Sequence, residues 1–345
     1  MLRIGSALPL ILTAMLLIAG CTAGQPEMPT PPPAPIDKVI FMANHEGNDD
    51  IYIVGADGSD AVNLTKSPHD DVPFSWSPDG RQILFVTDRD GNSEIYTMYA
   101  DGAYPRNLSE HPADDGFPSW SPDGQRIAFV TNRDGNWEIY VMRVDGSQQT
   151  RLTTSPATDG HPAWSPDSGR IAFVSQRDGN DDIYVMNADG TDQTRLTIHP
   201  AADTKPAWSP GGSLIAFESE RDGNVELYVM NADGTDQHNL SESDAADGDF
   251  AWSPAGESIV FSSEGDGNAE IYLVQIADGS LANLTSDPGQ DVLPSWSPNG
   301  QKIVFTSLRG ENADIYVMDA DGGNLRRLTT HPGSEWAPLW VPLPD

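Results

Sequence analysis

Residues 73–80 read Pro-Phe-Ser-Trp-Ser-Pro-Asp-Gly, and versions of this stretch return every 44 residues along the chain. The repeated tryptophans are Trp76, Trp120, Trp164, Trp208, Trp252, Trp296 and Trp340. The same step repeats a phenylalanine starting at Phe41, a tyrosine starting at Tyr52 and a leucine starting at Leu64. Seven copies of four such columns indicate a repeat architecture, in which each copy is one supersecondary unit.

Each repeat is predicted to contain four short strands separated by turns. In the copy that follows residue 71, Pro and Gly at 77–80 suit a type I turn, and Asp-Gly at 90–91 suits a hairpin. The predicted strands of this copy are 73–76, 82–86, 94–98 and 106–109. No segment after residue 37 has helical periodicity.

A four-stranded sheet of this size cannot bury both faces alone, but such sheets can bury each other when they stack around an axis. Counting from Lys38, the chain begins at a second strand and ends at residues 335–340 with a tryptophan strand that no blade follows. The sequence therefore predicts an all-β, seven-bladed β-propeller of four-stranded antiparallel blades. Its first blade would be closed by the C-terminal strand, which removes exposed sheet edges.

The N-terminal residues have the pattern of a secretion signal followed by a tether. Arg3 precedes an apolar run at 7–19, which ends in Leu-Ile-Ala-Gly-Cys at 17–21. This ending resembles the lipobox of bacterial lipoproteins, and the resemblance implies lipidation of Cys21. Cys21 is the only cysteine of the chain, so no intrachain disulfide is expected. The alternative is an ordinary signal peptide with an incidental cysteine.

We therefore expect a signal peptide at 1–20, a lipidated cysteine with a tether at 21–37, and the propeller at 38–345. Six prolines in residues 22–37 favour a stiff, extended tether. The expected location is the extracytoplasmic face of a bacterial membrane or the periplasm, with membrane contact through the lipid anchor only.

Four motifs carry a family resemblance: Trp-Ser-Pro-Asp-Gly, Ile-x-Phe, Asp-Gly-Asn-x-Glu-Ile-Tyr and Ala-Asp-Gly…Leu-Thr. They resemble the WD-like propeller repeats of the TolB family, which also occur in the propeller domains of prolyl-oligopeptidase-type peptidases. The resemblance implies the fold and says little about function. TolB has an α/β domain before six blades and the peptidases have a hydrolase domain. We therefore expect neither role to carry over intact.

The net charge of −33, with only four lysines, argues against nucleic-acid binding and against adhesion to anionic lipid. It leaves cationic partners open, although acidity also serves solubility alone. We expect a monomer.

Two acidic columns accompany the repeat. Five residues before each tryptophan stand Asp71, Asp115, Asp159, Asp203, Asp247, Asp291 and Glu335. They are a candidate acidic ring at the channel mouth; alternatively, each carboxylate accepts backbone hydrogen bonds in its own turn. A second column, which starts at Asp50 and Glu94, precedes the Ile-Tyr pair. We expect it to be structural and to pair across the hairpin with arginines such as Arg89.

One column varies where its neighbours repeat. Three residues before the tryptophans stand Pro73, Phe117, His161, Lys205, Asp249, Leu293 and Ala337. We predict that Phe117, His161, Lys205, Asp249 and Leu293 face a ligand at the channel mouth. The alternative is that exposure to solvent tolerates any residue here.

No catalytic residue and no bound metal are predicted. The chain has no Gly-x-Ser-x-Gly motif, and His45 opens a zinc-protease-like run whose second histidine is replaced by Asp49. Turns such as 187–192 resemble the start of a calcium loop but lack its later glutamate, so calcium stays a secondary alternative. The sequence thus favours a non-catalytic scaffold of the cell envelope that binds a protein or a glycan. The alternative function is a propeller hydrolase or lyase that uses channel-mouth carboxylates on peptide or polysaccharide.

Overall fold

The computed structural model describes residues 30–34, 37–45 and 47–342. The predicted signal peptide, Cys21 and most of the predicted tether lie outside these residues. Within the described ranges, every regular element is a strand, and the strands form seven separate four-stranded sheets. None of the described segments is a helix that is long and apolar enough to cross a membrane.

Each sheet is one antiparallel blade, and its first two strands lie nearest the axis. The innermost strands are Asp71–Trp76, Asp115–Trp120, Asp159–Trp164, Asp203–Trp208, Asp247–Trp252, Asp291–Trp296 and Ser334–Trp340. The second strands are Lys38–Asn44, Gln82–Thr87, Arg126–Thr131, Arg170–Ser175, Leu214–Ser219, Ser258–Ser263 and Lys302–Ser307.

The third and outer strands complete the blades. The third strands are Asp49–Gly55, Glu94–Tyr99, Glu138–Arg143, Asp182–Asn187, Glu226–Asn231, Glu270–Gln275 and Asp314–Asp319. The outer strands are Val62–Asn63, Arg106–Asn107, Thr150–Arg151, Thr194–Arg195, His238–Asn239, Leu281–Asn283 and Arg326–Arg327. We number the blades 1 to 7 in the order of their second strands. Compared with the prediction, the inner strand starts two residues earlier, at Asp71, and the outer strand is shorter.

The chain closes the ring with its own C-terminal strand. Residues 334–340 pair antiparallel with residues 39–44, and Val39 lies opposite Trp340. The resulting sheet contains the C-terminal strand followed by the first three strands of the chain. This arrangement confirms the predicted seven-bladed propeller and the predicted closure of its first blade.

The core lies between the blades. The seven repeated phenylalanines are at most 1% exposed and are the largest fully buried side chains. One buried cluster joins Ala172 and Ile183 of blade 4 to Trp208 and Phe217 of blade 5. Because each face is buried only against its neighbour, the stability of a blade depends on the blades beside it.

Four of the repeated tryptophans also hydrogen-bond across the gap between blades. The Nε1–H group of Trp208 donates to the Ala163 carbonyl oxygen of blade 4 at 3.2 Å. Trp164, Trp252 and Trp296 donate in the same way to Ser119, Ala207 and Ala251. The acceptors belong to inner strands, so these bonds fix the spacing of the strands that surround the axis.

Candidate functional site

A β-bulge interrupts each inner strand at the variable column. In blade 4, Gly160 pairs with Val174 and Ala163 pairs with Ala172, so His161 and Pro162 together oppose Phe173 alone. Blades 1, 3, 5, 6 and 7 show the same shift. Proline cannot donate to the ladder, so Pro162 and the prolines at this position in blades 1, 3, 5 and 7 fit a bulge; blades 2 and 6 have Phe74 and Phe250 instead. A bulge turns side chains away from the regular alternation of a strand.

The bulge holds six side chains in the left-handed backbone region. The φ angles are +47° at Phe117, +52° at His161, +50° at Lys205, +48° at Asp249, +56° at Leu293 and +52° at Ala337. Pro73, the seventh member, cannot take this conformation because its ring fixes φ near −65°. In blade 2 the pairing shifts between Pro73 and Ser75 instead, so Phe74 is the extra residue.

The whole column lines one pocket of about 530 Å³ on the propeller axis. All seven blades contribute, and the wall includes each of the five residues predicted to face a ligand. The structure therefore brings these residues together, although they are 44 residues apart in sequence.

One arc of the pocket is aromatic. The ring of Phe117 contacts that of Phe74 at a centroid distance of 5.8 Å and that of His161 at 4.6 Å. Phe117 is 46% exposed, so its ring is accessible from the pocket. Burial and the nearby Lys205 ammonium lower the pKa of His161, so this ring is neutral near pH 7.

The adjoining arc is charged. The Nζ atom of Lys205 lies 3.0 Å from a Glu218 oxygen and 3.3 Å from an Asp249 oxygen. Burial opposes the charge of Lys205, but these two carboxylates outweigh it and raise the lysine pKa. Glu218 also accepts a hydrogen bond from the Asp249 backbone at 3.1 Å, which holds the bulge of blade 6. The pocket wall therefore offers apolar surface, the Lys205 ammonium group and the Asp249 carboxylate, and the nearly buried Glu218 carboxylate supports Lys205.

Glu218 was not among the predicted site residues. Its side chain is only 9% exposed, and its carboxylate bonds Lys205 at the pocket wall. The sequence does contain a signal for it, because the corresponding positions of the other repeats are Met42, Val86, Val130, Val174, Ser262 and Thr306. A single carboxylate in a column of uncharged residues marks a local requirement for charge.

The acidic column that starts at Asp71 does not form a ring of charge open to solvent, and this corrects the prediction. Asp71, Asp115, Asp159, Asp203, Asp247, Asp291 and Glu335 are all at most 1% exposed. Five of them accept a hydrogen bond from an arginine of the same blade, for example Asp71 from Arg89 at 2.7 Å. Burial of an unpaired charge is costly, so these arginines are what allows the carboxylates to lie inside the blades.

The other two members of this column have no arginine. Glu335 lies 3.2 Å from His45 Nε2, and the His45 ring stacks on His331 at 3.4 Å. Burial raises the pKa of Glu335 to about 7. Burial and the nearby His331 lower the pKa of His45 to about 4, so the contact joins two neutral groups between these values. The other is Asp247 in blade 6, where Gly265 replaces the arginine.

The second acidic column is structural, as predicted, but its partners are different. Glu138 accepts hydrogen bonds from Thr153 Oγ1 at 2.6 Å and from Asn136 Nδ2 at 2.9 Å. In blade 2, Glu94 bonds Ser109 and Asn92. The arginines expected to pair with this column contact the first column instead.

The turns that resemble calcium loops use their carboxylates internally. Asp189 Oδ1 accepts a hydrogen bond from the Thr191 backbone at 3.0 Å and from its hydroxyl at 2.6 Å. Asp233 bonds Thr235 in the same way. Over residues 30–34, 37–45 and 47–342, no three histidine, cysteine or carboxylate side chains are grouped as metal ligands.

Solved structures with the same fold include a TolB protein, a lyase and a peptidase. TolB from Acinetobacter baumannii is 20% identical, with a TM-score of 0.59, over 89% of this chain and 83% of that one. An oligogalacturonate lyase in complex with manganese is 16% identical, with a TM-score of 0.66, over 87% of each chain. A puromycin-hydrolysing peptidase from Mycobacterium tuberculosis is 16% identical, with a TM-score of 0.70, over 88% of this chain but 53% of the peptidase.

These identities indicate a shared fold and no more, and no protein of curated function matches the chain in sequence. The TolB β-propeller domain family matches residues 29–115, 106–181, 156–249 and 236–344, which together cover all seven blades. The chain therefore belongs to the TolB β-propeller domain family.

Proposed function

We propose that this protein is a non-catalytic binding scaffold of the bacterial cell envelope. In this proposal the axial pocket holds an exposed segment of a partner protein. Export would follow from the N-terminal signal, and lipidation of Cys21 would anchor the propeller through its proline-rich tether. Similarity to TolB propellers supports an envelope location.

The observation that carries the proposal is the strained backbone of the variable column, which from here on is called the bulge column because each inner strand has its β-bulge there. A non-glycine residue in the left-handed region costs about 1–2 kcal/mol, which glycine avoids. Glycine has a positive φ at 18 described turn positions, yet none of the seven repeats has glycine at the bulge. Strained side chains that are retained in a pocket are typical of functional sites.

The chemistry of the pocket favours a protein segment as the ligand. The aromatic arc of Phe74, Phe117 and His161 suits an apolar side chain, and aromatic side chains commonly anchor protein interfaces. Beside it, the partly exposed Asp249 carboxylate, which shares Lys205 with Glu218, can accept a hydrogen bond from a polar or cationic group, in keeping with the net charge of −33.

Site-specific photocrosslinking in the native envelope tests the proposal. A photoreactive residue at Phe117 or at Leu293 should capture the same protein, identified by mass spectrometry. A probe at Ile198, which is 78% exposed and lies outside the pocket, is the matched control. Replacing His161, Lys205 and Asp249 together by alanine should abolish capture from Leu293 while the thermal unfolding transition is kept. Identical capture from Ile198, unchanged capture in the triple variant, or capture of glycan alone would contradict the proposal.

A second candidate function is a hydrolase or lyase acting on peptide or polysaccharide. It is favoured by Glu218 and Asp249, two carboxylates that contact the same Lys205 ammonium group, and by the fold shared with an oligogalacturonate lyase. Product formation from oligogalacturonate or peptides that is lost in Glu218→Gln would support this function. If the wild type and Glu218→Gln both form product only at the uncatalysed background rate, this enzymatic function is rejected.

A further inference from the structure

Blade 6 lacks an arginine that five other blades place beside their buried aspartate. The arginines are Arg89, Arg133, Arg177, Arg221 and Arg309, and the residue of blade 6 in this column is Gly265. The corresponding aspartate, Asp247, is nevertheless present and only 1% exposed.

Blade 4 shows how the guanidinium group is held where the arginine is present. Arg177 Nη2 lies 3.1 Å from both Asp159 oxygens, and Nε donates to Ser175 Oγ at 2.7 Å. The same guanidinium carbon lies 5.5 Å from the Phe173 ring centre and 4.6 Å from that of Tyr184. A carboxylate, a hydroxyl and two aromatic faces thus form one slot for a planar cation.

Blade 6 keeps the carboxylate, the hydroxyl and both rings, whereas Gln193, which accepts a hydrogen bond from Arg177 Nη1 at 2.7 Å in blade 4, corresponds to Leu281 in blade 6. Asp247, Ser263, Phe261 and Tyr272 occupy the four positions, and the two rings are 5.9 Å apart, against 5.6 Å for Phe173 and Tyr184 in blade 4. The Gly265 backbone N–H donates to Ser263 Oγ at 3.2 Å, as the Arg177 N–H does to Ser175 at 3.4 Å. The backbone therefore follows the same path in both blades.

The Asp247 carboxylate is left without the cation that its equivalents have. Ser241, Ser263 and Glu226 lie near it, but neither of its oxygens has a hydrogen-bond partner of regular geometry among the described residues. Burial, with a smaller contribution from Glu226, raises the pKa of Asp247 to about 6. A buried carboxylate without partners is costly unless something completes its contacts.

Gly265 lies at the solvent-facing end of this position, whereas both Asp247 oxygens are covered, so a group from outside reaches them only when the neighbouring side chains move apart. The five arginine side chains are 12–22% exposed, so a guanidinium in this position is reachable from outside. Gly265 is exposed, and a Cβ atom there would meet only Ser263 Oγ at 3.4 Å and Ser243 Oγ at 3.7 Å, which are ordinary contacts.

We propose that the slot formed by Asp247, Ser263, Phe261 and Tyr272 in blade 6 binds a guanidinium group from outside the chain. The group comes either from an arginine side chain of a partner protein or from a small free guanidine compound. A planar guanidinium lies over both rings and donates from two nitrogens held in a fixed fork, one to the hydroxyl and one to the carboxylate, which an ammonium group cannot do. The surrounding negative charge draws such a cation toward the blade.

Calorimetric titration with methylguanidinium tests this site. It is run above the Asp247 pKa of about 6 and at concentrations far below those that denature proteins. We expect one saturable site in the wild type and none in Gly265→Arg, whose own side chain fills the slot. Asp247→Asn should weaken binding about tenfold or more, because a hydrogen bond to a charged group is lost. Methylammonium should bind about tenfold more weakly than methylguanidinium.

Arg177→Gly is the gain-of-site control, because it leaves Asp159 in blade 4 without its guanidinium, in a slot that also contains the Gln193 amide. This variant should bind a second equivalent of methylguanidinium, provided that its circular dichroism matches the wild type. An arginine-containing peptide that binds more tightly than methylguanidinium indicates a protein partner, and equal affinities indicate a small guanidine compound. Equal binding by wild type and Gly265→Arg, or equal binding of ammonium and guanidinium, would overturn the proposal.

Discussion

At the scale of single residues, the bulge column separates a structural requirement from a functional one. The backbone at Leu293 needs a positive φ, which glycine satisfies at less cost than leucine. Every repeat nevertheless keeps a side chain there, and each repeat keeps a different one. If these side chains are retained for what they contact, replacing one of them by glycine should not destabilise the fold.

Leu293→Gly tests this separation directly. We expect the free energy of unfolding to stay the same or to rise by up to about 1 kcal/mol, because relief of left-handed strain outweighs the flexibility of glycine. Chemical denaturation measures it, with Leu293→Ala as the control that keeps the strain. A loss of more than about 1 kcal/mol in the glycine variant would show that Leu293 is needed for packing.

Asp247 gives the propeller a specific dependence on pH. Its pKa in the folded protein is raised to about 6, above the ordinary 3.8, so folding favours the protonated form. The stability that protonated Asp247 contributes is therefore fully present below pH 3.8. It is lost as the pH rises through about 6.

We expect Asp247→Asn to become progressively more stable relative to wild type as pH rises across this window. Thermal unfolding at a series of pH values measures the difference. Asp159→Asn is the matched control, and it should destabilise near pH 7 because it breaks the pair with Arg177. If the difference in thermal stability between the wild type and Asp247→Asn does not change with pH, the raised pKa of Asp247 is contradicted.

At the scale of strands and blades, the tryptophans act as links between neighbouring sheets. Trp208 donates to blade 4 and also carries the Arg170 guanidinium 4.5 Å above its ring. Trp76 is equally buried, at 8% exposure, but its Nε1 atom has no hydrogen-bond partner among the described residues. The same residue type thus makes different contacts in different blades.

Trp208→Phe should lower the free energy of unfolding by about 1–3 kcal/mol more than Trp76→Phe does. Both lose similar apolar area, but only Trp208 loses a hydrogen bond and a cation–π contact. Paired urea denaturation curves of the two variants measure the difference. Equal losses would show that apolar burial alone holds the blades together.

The arginine columns show where reasoning along one hairpin fails. Arg89 and Glu94 flank the same turn, so pairing between them was the natural prediction. The inner strand adds a second candidate, Asp71, which is fully buried and lies 2.7 Å from Arg89. Both carboxylates are buried, but Glu94 already bonds Ser109 and Asn92, so Asp71 has the greater need of the cation.

At the scale of the whole molecule, closure of the ring makes every blade an interior one. Blade 1 takes its inner strand from the C-terminus, so both of its neighbours pack on a complete sheet. Without that strand, residues 39–44 would be an open edge with free backbone groups.

Deletion of residues 334–345 should therefore abolish cooperative unfolding rather than lower stability by a small amount. We expect a broadened thermal transition, aggregation and early proteolysis near residues 38–63. Differential scanning calorimetry and limited proteolysis measure these effects. Deletion of the three residues 343–345 is the control. A sharp transition in the longer deletion would mean that six complete blades and a three-stranded first blade suffice for a stable ring.

The 44-residue spacing by itself determined the number of blades, their four strands and the closure, because these follow from local patterning repeated seven times. The sequence also identified the variable column, because a position that differs between otherwise constant repeats is visible without the structure. Only the tertiary structure decided which residues meet around the axis, that Glu218 joins Lys205 and Asp249, and that the acidic column is buried against arginines. The physical reason is that spacing fixes hydrogen-bonded neighbours within a blade. Burial and charge pairing depend instead on how the finished blades lean against one another.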